Sequence, residues 1–162
     1  MTEGIPVVRM YTDASGHTRF ARMQIPVQSK TGLGSVGMFS SLFVNQNIHD
    51  NTGDLKTQFA LTPVPDNLKG DGPKLAHTAP RRQLVLTLSG CLEFKSCDVD
   101  EDDAEHKVTI RRGDILLAED LEGAGHVWKF VESSDGNFYP WIRCYIHLGE
   151  EYDHFVSQLM PI

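Results

Sequence analysis

Two stretches decide the fold: HTAPRRQLVLTLSG at 77–90 and VTIRRGDILLAEDLEGAGH at 108–126, separated by an acidic insertion. The first reads as an extended segment that starts on a histidine and closes on a turn glycine. Successive side chains of a strand point to opposite faces. On that pattern His77, Ala79, Arg81, Gln83, Val85 and Thr87 share one face, unless a bulge intervenes, and Pro80 marks the place for a kink. Leu84, Leu86 and Leu88 make the other face, an apolar set suited to packing against another sheet. The second stretch turns at Arg112-Gly113-Asp114, runs through the apolar residues 115–118, and reaches His126 through a glycine-bearing loop. Each β-segment thus delivers one histidine towards a shared pocket.

Outward from this centre the alternation continues. Residues 5–12 read as a strand, Asp13-Ala14-Ser15-Gly16 as a turn, and 17–27 as a second strand ending near Pro26. This hairpin is expected to cover one side of the core. Residues 28–41 are rich in glycine and serine and read as a loop, a plain connector or a ligand-gating lid. Short strands are expected at 42–44 and 58–63, with loop at 45–54 and turns through the proline-rich 63–73. Strands follow at 91–95 and 107–111, joined by the acidic tip 98–105. That tip has DxDxD spacing at Asp98, Asp100 and Asp102. Asp103 and Thr109, however, stand where a calcium loop needs glycine and glutamate, so it reads as a solvated turn. Near the end, His126, Trp128 and Phe130 share a face, as do Arg143, Tyr145 and His147 in the strand 141–148. Tyr152, Phe155, Val156 and Leu159 fall at helical spacing, which predicts one short C-terminal helix within 150–162.

Composition narrows the class. The 162 residues suit a single domain, 1–162, and are enough to bury a core. Fifteen Lys and Arg against 22 Asp and Glu give a net charge of −7, which argues against nucleic acid as partner. No signal segment or membrane-spanning run is visible, so a cytoplasmic protein is expected. Cys91, Cys97 and Cys144 cannot all pair within one chain. The bland expectation is reduced thiols, and the rival is a Cys91–Cys97 bridge across a hairpin.

The central stretches resemble the cupin superfamily, the RmlC-like double-stranded β-helix proteins. Their first motif is G-x5-H-x-H-x3,4-E-x6-G and their second G-x5-P-x-G-x2-H-x3-N. His77, Gln83 and Gly90 stand at first-motif positions behind Gly72, while Gly113, Gly123 and His126 follow the second motif loosely. Ala79 replaces the second histidine, Gln83 the glutamate and Glu119 the proline. The resemblance covers about a third of the chain. It implies an all-β jelly-roll or cupin barrel with its core at about 55–149, an N-terminal hairpin extension, and a homodimer. It also implies a metal set of His77, Gln83 and His126, with His147 or Glu119 as a further donor. Such a set would hold one divalent ion, Zn²⁺, Ni²⁺ or Fe²⁺, but more weakly than the full motif, because an amide replaces a carboxylate. The same residues serve equally without metal.

Chemistry follows from residue types. An imidazole titrates near neutrality, so His77 and His126 suit proton transfer, with Gln83 orienting substrate or metal. Arg81, Trp128, Arg143, Tyr145 and His147 are the candidate substrate-binding residues. A pocket arginine favours a carboxylate or phenolate, and aromatic rings line most small-molecule sites. Trp128, Phe130, Tyr139 and Trp141 are equally the bulk of a core, and Tyr139 and Trp141 also fit a dimer contact. Small single-domain cupins include cyclases and isomerases as well as dioxygenases. The leading expectation is therefore an enzyme of the isomerase, cyclase, dehydratase or lyase type, acting on a small carbonyl-bearing or aromatic metabolite. The alternatives are a non-haem iron dioxygenase and a non-catalytic ligand-binding cupin.

Overall fold

Period-two alternation puts most of the chain into strands. A computed structural model describes residues 4–30, 34–37, 57–66, 75–97, 99, 104–149 and 152–162, with the backbone alone at 28–30 and 34–37. The strands are β1 (Gly4–Thr12), β2 (Thr18–Lys30), β3 (Gly34–Gly37), β4 (Thr57–Thr62), β5 (Gln83–Ser89) and β6 (Cys91–Ser96). They continue with β7 (Lys107–Arg111), β8 (Ile115–Glu119), β9 (His126–Phe130), β10 (Trp141–His147) and, after one short helix α1 (Tyr152–Ser157), β11 (Met160–Pro161).

These strands make two sheets. The larger runs β11-β2-β1-β8-β5-β10-β4 with β3 added to β2, and the smaller runs β7-β6-β9. Strand β1 lies parallel to β8, and every other pairing among the described strands is antiparallel. No ladder among the described residues closes the two sheets into one barrel. The N-terminal hairpin is a full member of the large sheet, because β1 pairs Val8–Tyr11 with Leu116–Glu119 of β8.

Alternation then sorts the side chains into two apolar layers. Val8, Met10, Val85, Leu116, Ala118 and Trp141 of the large sheet meet Leu92, Phe94, Val108 and Ile110 of the small one. Val7, Ile25, Leu84 and Leu117 face the other way and are covered by Phe155 and Leu159 of the C-terminal segment. Each such side chain stabilises the fold by roughly 1.5–3 kcal/mol when fully buried. The chain therefore needs both the facing sheet and the helix.

Glu119 belongs to this outer layer. Its side chain is only 3% exposed and pairs with the Arg9 guanidinium at 2.5 Å. The Tyr152 hydroxyl donates to its other oxygen, and Arg82 stacks 4.3 Å from the Tyr152 ring. A buried carboxylate is tolerable only with such donors. The cluster fastens α1 to the sheet.

Several expectations need correction. Residues 77–82 do not continue the strand. Pro80 has no amide to donate, 80–82 bend, and β5 starts only at Gln83. The expected loop at 28–41 contains the end of β2 and all of β3, which pair from Val27↔Gly37 to Lys30↔Gly34. Strand β2 runs past Pro26 because that residue pairs only at the ladder's end, with Gly4. The rest of the proposed lid, the strand at 42–44, the loop at 45–54, Gly72 and most of the acidic tip lie outside the described residues. The tail is a shorter helix than 150–162, followed by a strand that pairs Met160 with Gln24. All three cysteines are free thiols, so Cys91 and Cys97 do not bridge. No helix among the described residues is long and apolar enough to cross a membrane.

Burial and the hydrogen bond to Glu119 push the Tyr152 hydroxyl up to about 12. A raised folded-state pKa favours the protonated form, so this stabilisation is complete below about pH 10 and is lost as the pH rises towards 12. Replacing Tyr152→Phe should lower stability by roughly 1–2 kcal/mol at neutral pH. Denaturant titrations from pH 7 to 11 should show the gap to the wild type narrowing above about pH 10.

Candidate functional site

Between the sheets lies a cavity of about 440 Å³, within the range of small-molecule sites. All eight predicted site residues line it. Gln83 starts β5 and is buried, and His126 starts β9 at 4% exposure. Arg143, Tyr145 and His147 reach the cavity from one face of β10, as their spacing predicts, and Trp128 does so from β9. Arg81 enters from the bend ahead of β5. His77 is exposed at the rim, with its ring centroid 4.5 Å from that of His126.

The two histidines meet through the backbone first. The His77 amide donates to the His126 carbonyl at 3.1 Å, and the His126 amide returns the bond at 2.9 Å. Gly125 makes this approach possible. Its φ is +75°, and a Cβ there would lie 2.5 Å from the His77 carbonyl oxygen, closer than atoms tolerate.

Asp120 fixes the His126 ring. Its Oδ2 lies 2.6 Å from His126 Nδ1 and accepts the Thr18 hydroxyl at 3.0 Å. The Ala79 amide approaches both its Oδ1, at 3.3 Å, and its carbonyl, at 3.1 Å. The carboxylate is fully buried, so its desolvation is offset only by these donors. An acceptor at Nδ1 holds the proton on that nitrogen and leaves Nε2 as the ring's other nitrogen at the cavity wall.

The loop carrying Asp120 is tied down from several sides. The Thr12 hydroxyl donates to the Glu122 carbonyl, the Ala124 amide to Gly16 and the Cys97 amide to Gly125. Below the turn, Asp13 accepts from the Arg19 guanidinium and the His17 and Ser15 amides, which hold its carboxyl down at about 2. The hairpin β1–β2 therefore positions the site as well as the sheet.

The sequence places the pocket residues. It marks Glu119 and Asp120 as loop acids that satisfy backbone amides or act as a catalytic acid, but it does not show which groups Asp120 holds. Thr18 lies 102 residues from Asp120 and carried no signal. Asp120 did carry one: it follows Leu116 and Ala118 at even spacing, hence inward, whereas Glu119 faces the outer layer and is no pocket donor. Trp141 is 4% exposed and its ring contacts Trp128 and Phe94, so it belongs to the cavity wall and not to a dimer contact. Tyr139 is surface-lying and hydrogen-bonds Asp135 at 2.6 Å. Burial pushes the Cys91 and Cys144 thiols up, away from nucleophilic thiolate chemistry.

The metal expectation rests on two imidazoles and an amide. Among the described residues no three His, Cys, Asp or Glu side chains come together as a metal-holding group. His77, Gln83 and His126 therefore do not form the carboxylate- or thiolate-bearing set that binds such an ion firmly. Compared with known proteins, the chain matches no family model, no curated protein and no solved structure.

Replacing Asp120→Ala should leave the Thr18 hydroxyl and the His126 Nδ1 proton unsatisfied in the interior. The expected loss is about 3 kcal/mol in denaturant unfolding. Gly125→Ala should also destabilise the fold and break the His77–His126 bridge, seen as faster amide hydrogen exchange at both residues. Wild-type exchange at these amides in the alanine variant would contradict the role given to Gly125.

Proposed function

We propose that the protein is a cupin-type double-stranded β-helix enzyme that moves a proton on a small carbonyl-bearing or aromatic metabolite. The buried Asp120–His126 pair at the cavity wall carries this reading. With Nδ1–H donated to Asp120, His126 Nε2 accepts a proton from the carbon beside the substrate carbonyl, and Asp120 stabilises the resulting imidazolium. The electron pair of the broken C–H bond moves into the carbonyl as an enolate. The Gln83 amide supplies a hydrogen bond for that developing charge, and the aromatic wall of Phe94, Trp128 and Trp141 keeps water away. Return of the proton to another atom completes an isomerisation. Loss of a leaving group from the enolate gives dehydration or lyase chemistry, and internal attack gives cyclisation.

The two-sheet arrangement, the sites at the first- and second-motif positions and their convergence on one cavity support the cupin assignment. No step requires a metal.

The test is solvent deuterium exchange. Small enolisable probes (pyruvate, phenylpyruvate and acetoacetate) are incubated in D₂O with the protein and followed by proton NMR. The wild type should speed loss of the α-proton signal of at least one probe. His126→Asn, whose amide can still meet Asp120, should lower that rate by about 10²-fold or more. Equal exchange by both proteins contradicts the assignment.

A further inference from the structure

The charge of the cavity wall opposes that of the chain. The protein carries a net charge of −7, yet among the described residues the cavity lining includes Arg81, Arg143 and three histidines and no carboxylate. Asp120 stands behind His126, outside the lining, and Glu119 faces the opposite side of the sheet.

Arg143 is the better defined cation. Its Nε donates to the Tyr145 hydroxyl at 2.6 Å, and Nη1 donates to the Thr62 hydroxyl at 2.8 Å and the Trp141 carbonyl at 3.4 Å. The guanidinium carbon lies 3.8 Å from the centroid of the Trp141 ring. These partners orient the group but are all neutral. A half-buried guanidinium that is held rigid, with no carboxylate partner among the described residues and Nη2 outside these bonds, is prepared for an anion.

The flat rings beside it define the rest of the ligand. Trp141 and Trp128 lie 5.1 Å apart, centroid to centroid, at 64°, and Tyr145 shares the Arg143 edge of the cavity. A planar body fits against such walls. Arg143 itself has one amino group outside these bonds, and a carboxylate is met by fewer donors than a phosphate, which usually recruits several.

We infer that Arg143 is the anchor for a substrate carboxylate, so that the natural substrate is a small planar carboxylic acid. This rests on the proton-transfer reading for the word substrate, but the binding site stands on its own contacts. Arg143 sets which molecules enter and how they lie relative to His126.

Binding can be read directly, because the only two tryptophans of the chain, Trp128 and Trp141, both line the cavity. Benzoate and its neutral counterpart benzamide are titrated into the full chain and followed by tryptophan emission and calorimetry. Benzoate should saturate and bind at least tenfold tighter than benzamide. Arg143→Gln should lose at least tenfold in benzoate affinity, with thermal unfolding as the check on its fold. Arg143→Lys, which keeps the charge, should retain the preference for benzoate should the glutamine variant fail to fold. Benzamide binding as tightly as benzoate, no saturable response to benzoate, or wild-type affinity in Arg143→Gln overturns the inference. Phenyl phosphate binding tighter than benzoate overturns the choice of carboxylate. Benzoate binding without deuterium exchange in any probe removes the catalytic reading and leaves the anchor, whereas exchange without benzoate binding does the reverse.

Discussion

A carboxylate with no solvent exposure is tolerable only where the surrounding chain supplies donors, and Asp120 draws on three segments for that purpose, two of them distant in sequence. Thr18 comes from the first hairpin, Ala79 from the bend ahead of β5, and His126 from the start of β9. The Thr18 contact needs β1 beside β8, and the Ala79 contact needs the 77–79 segment to cross to the loop that carries Asp120 and His126. The pair is thus a product of the complete fold, and the fold in turn depends on satisfying it. Breaking a buried pair by removing one partner typically costs about 3–5 kcal/mol, a large part of a domain's net stability.

The large sheet separates two carboxylates that are neighbours in sequence. Glu119 points outward, where Arg9 and Tyr152 bind it and fasten the C-terminal helix. Asp120 points inward and sets the ring of His126. One supports the layer that closes the outer face, and the other supports the cavity. Because adjacent positions of an extended chain face opposite ways, a one-residue slip of β8 would exchange these roles and bury each charge among the wrong partners. The register of β8 between β1 and β5 therefore fixes both the packing and the chemistry.

Much of this was legible in the sequence. The alternation in 141–148 placed Arg143, Tyr145 and His147 on one face, and the structure puts all three at the cavity. The same alternation put Leu84, Leu86 and Leu88 on one apolar face for a second sheet, but Leu84 and Leu86 are covered by the C-terminal segment and Leu88 is exposed. It overextended at 77–82, where Pro80 withholds a donor and Asp120 takes the Ala79 amide, so the strand gives way to a bend. It also missed β3 and β11, because glycine-rich and two-residue strands carry no hydrophobic period to read. The site's supports were hidden for a different reason. Thr18 and Asp120 touch only after long-range pairing of β1 with β8, a contact that local patterning does not encode.

The most direct test of the account is the tautomer of His126. Two-bond nitrogen–proton NMR on protein labelled with ¹⁵N-histidine, at a pH where the ring is neutral, reports which nitrogen carries the proton. The Asp120 contact predicts a proton on Nδ1, shifted far downfield, and an unprotonated Nε2 facing the cavity. A proton on Nε2 with Nδ1 bare would contradict it, because the ring would then lack the free base on which the proposed chemistry depends.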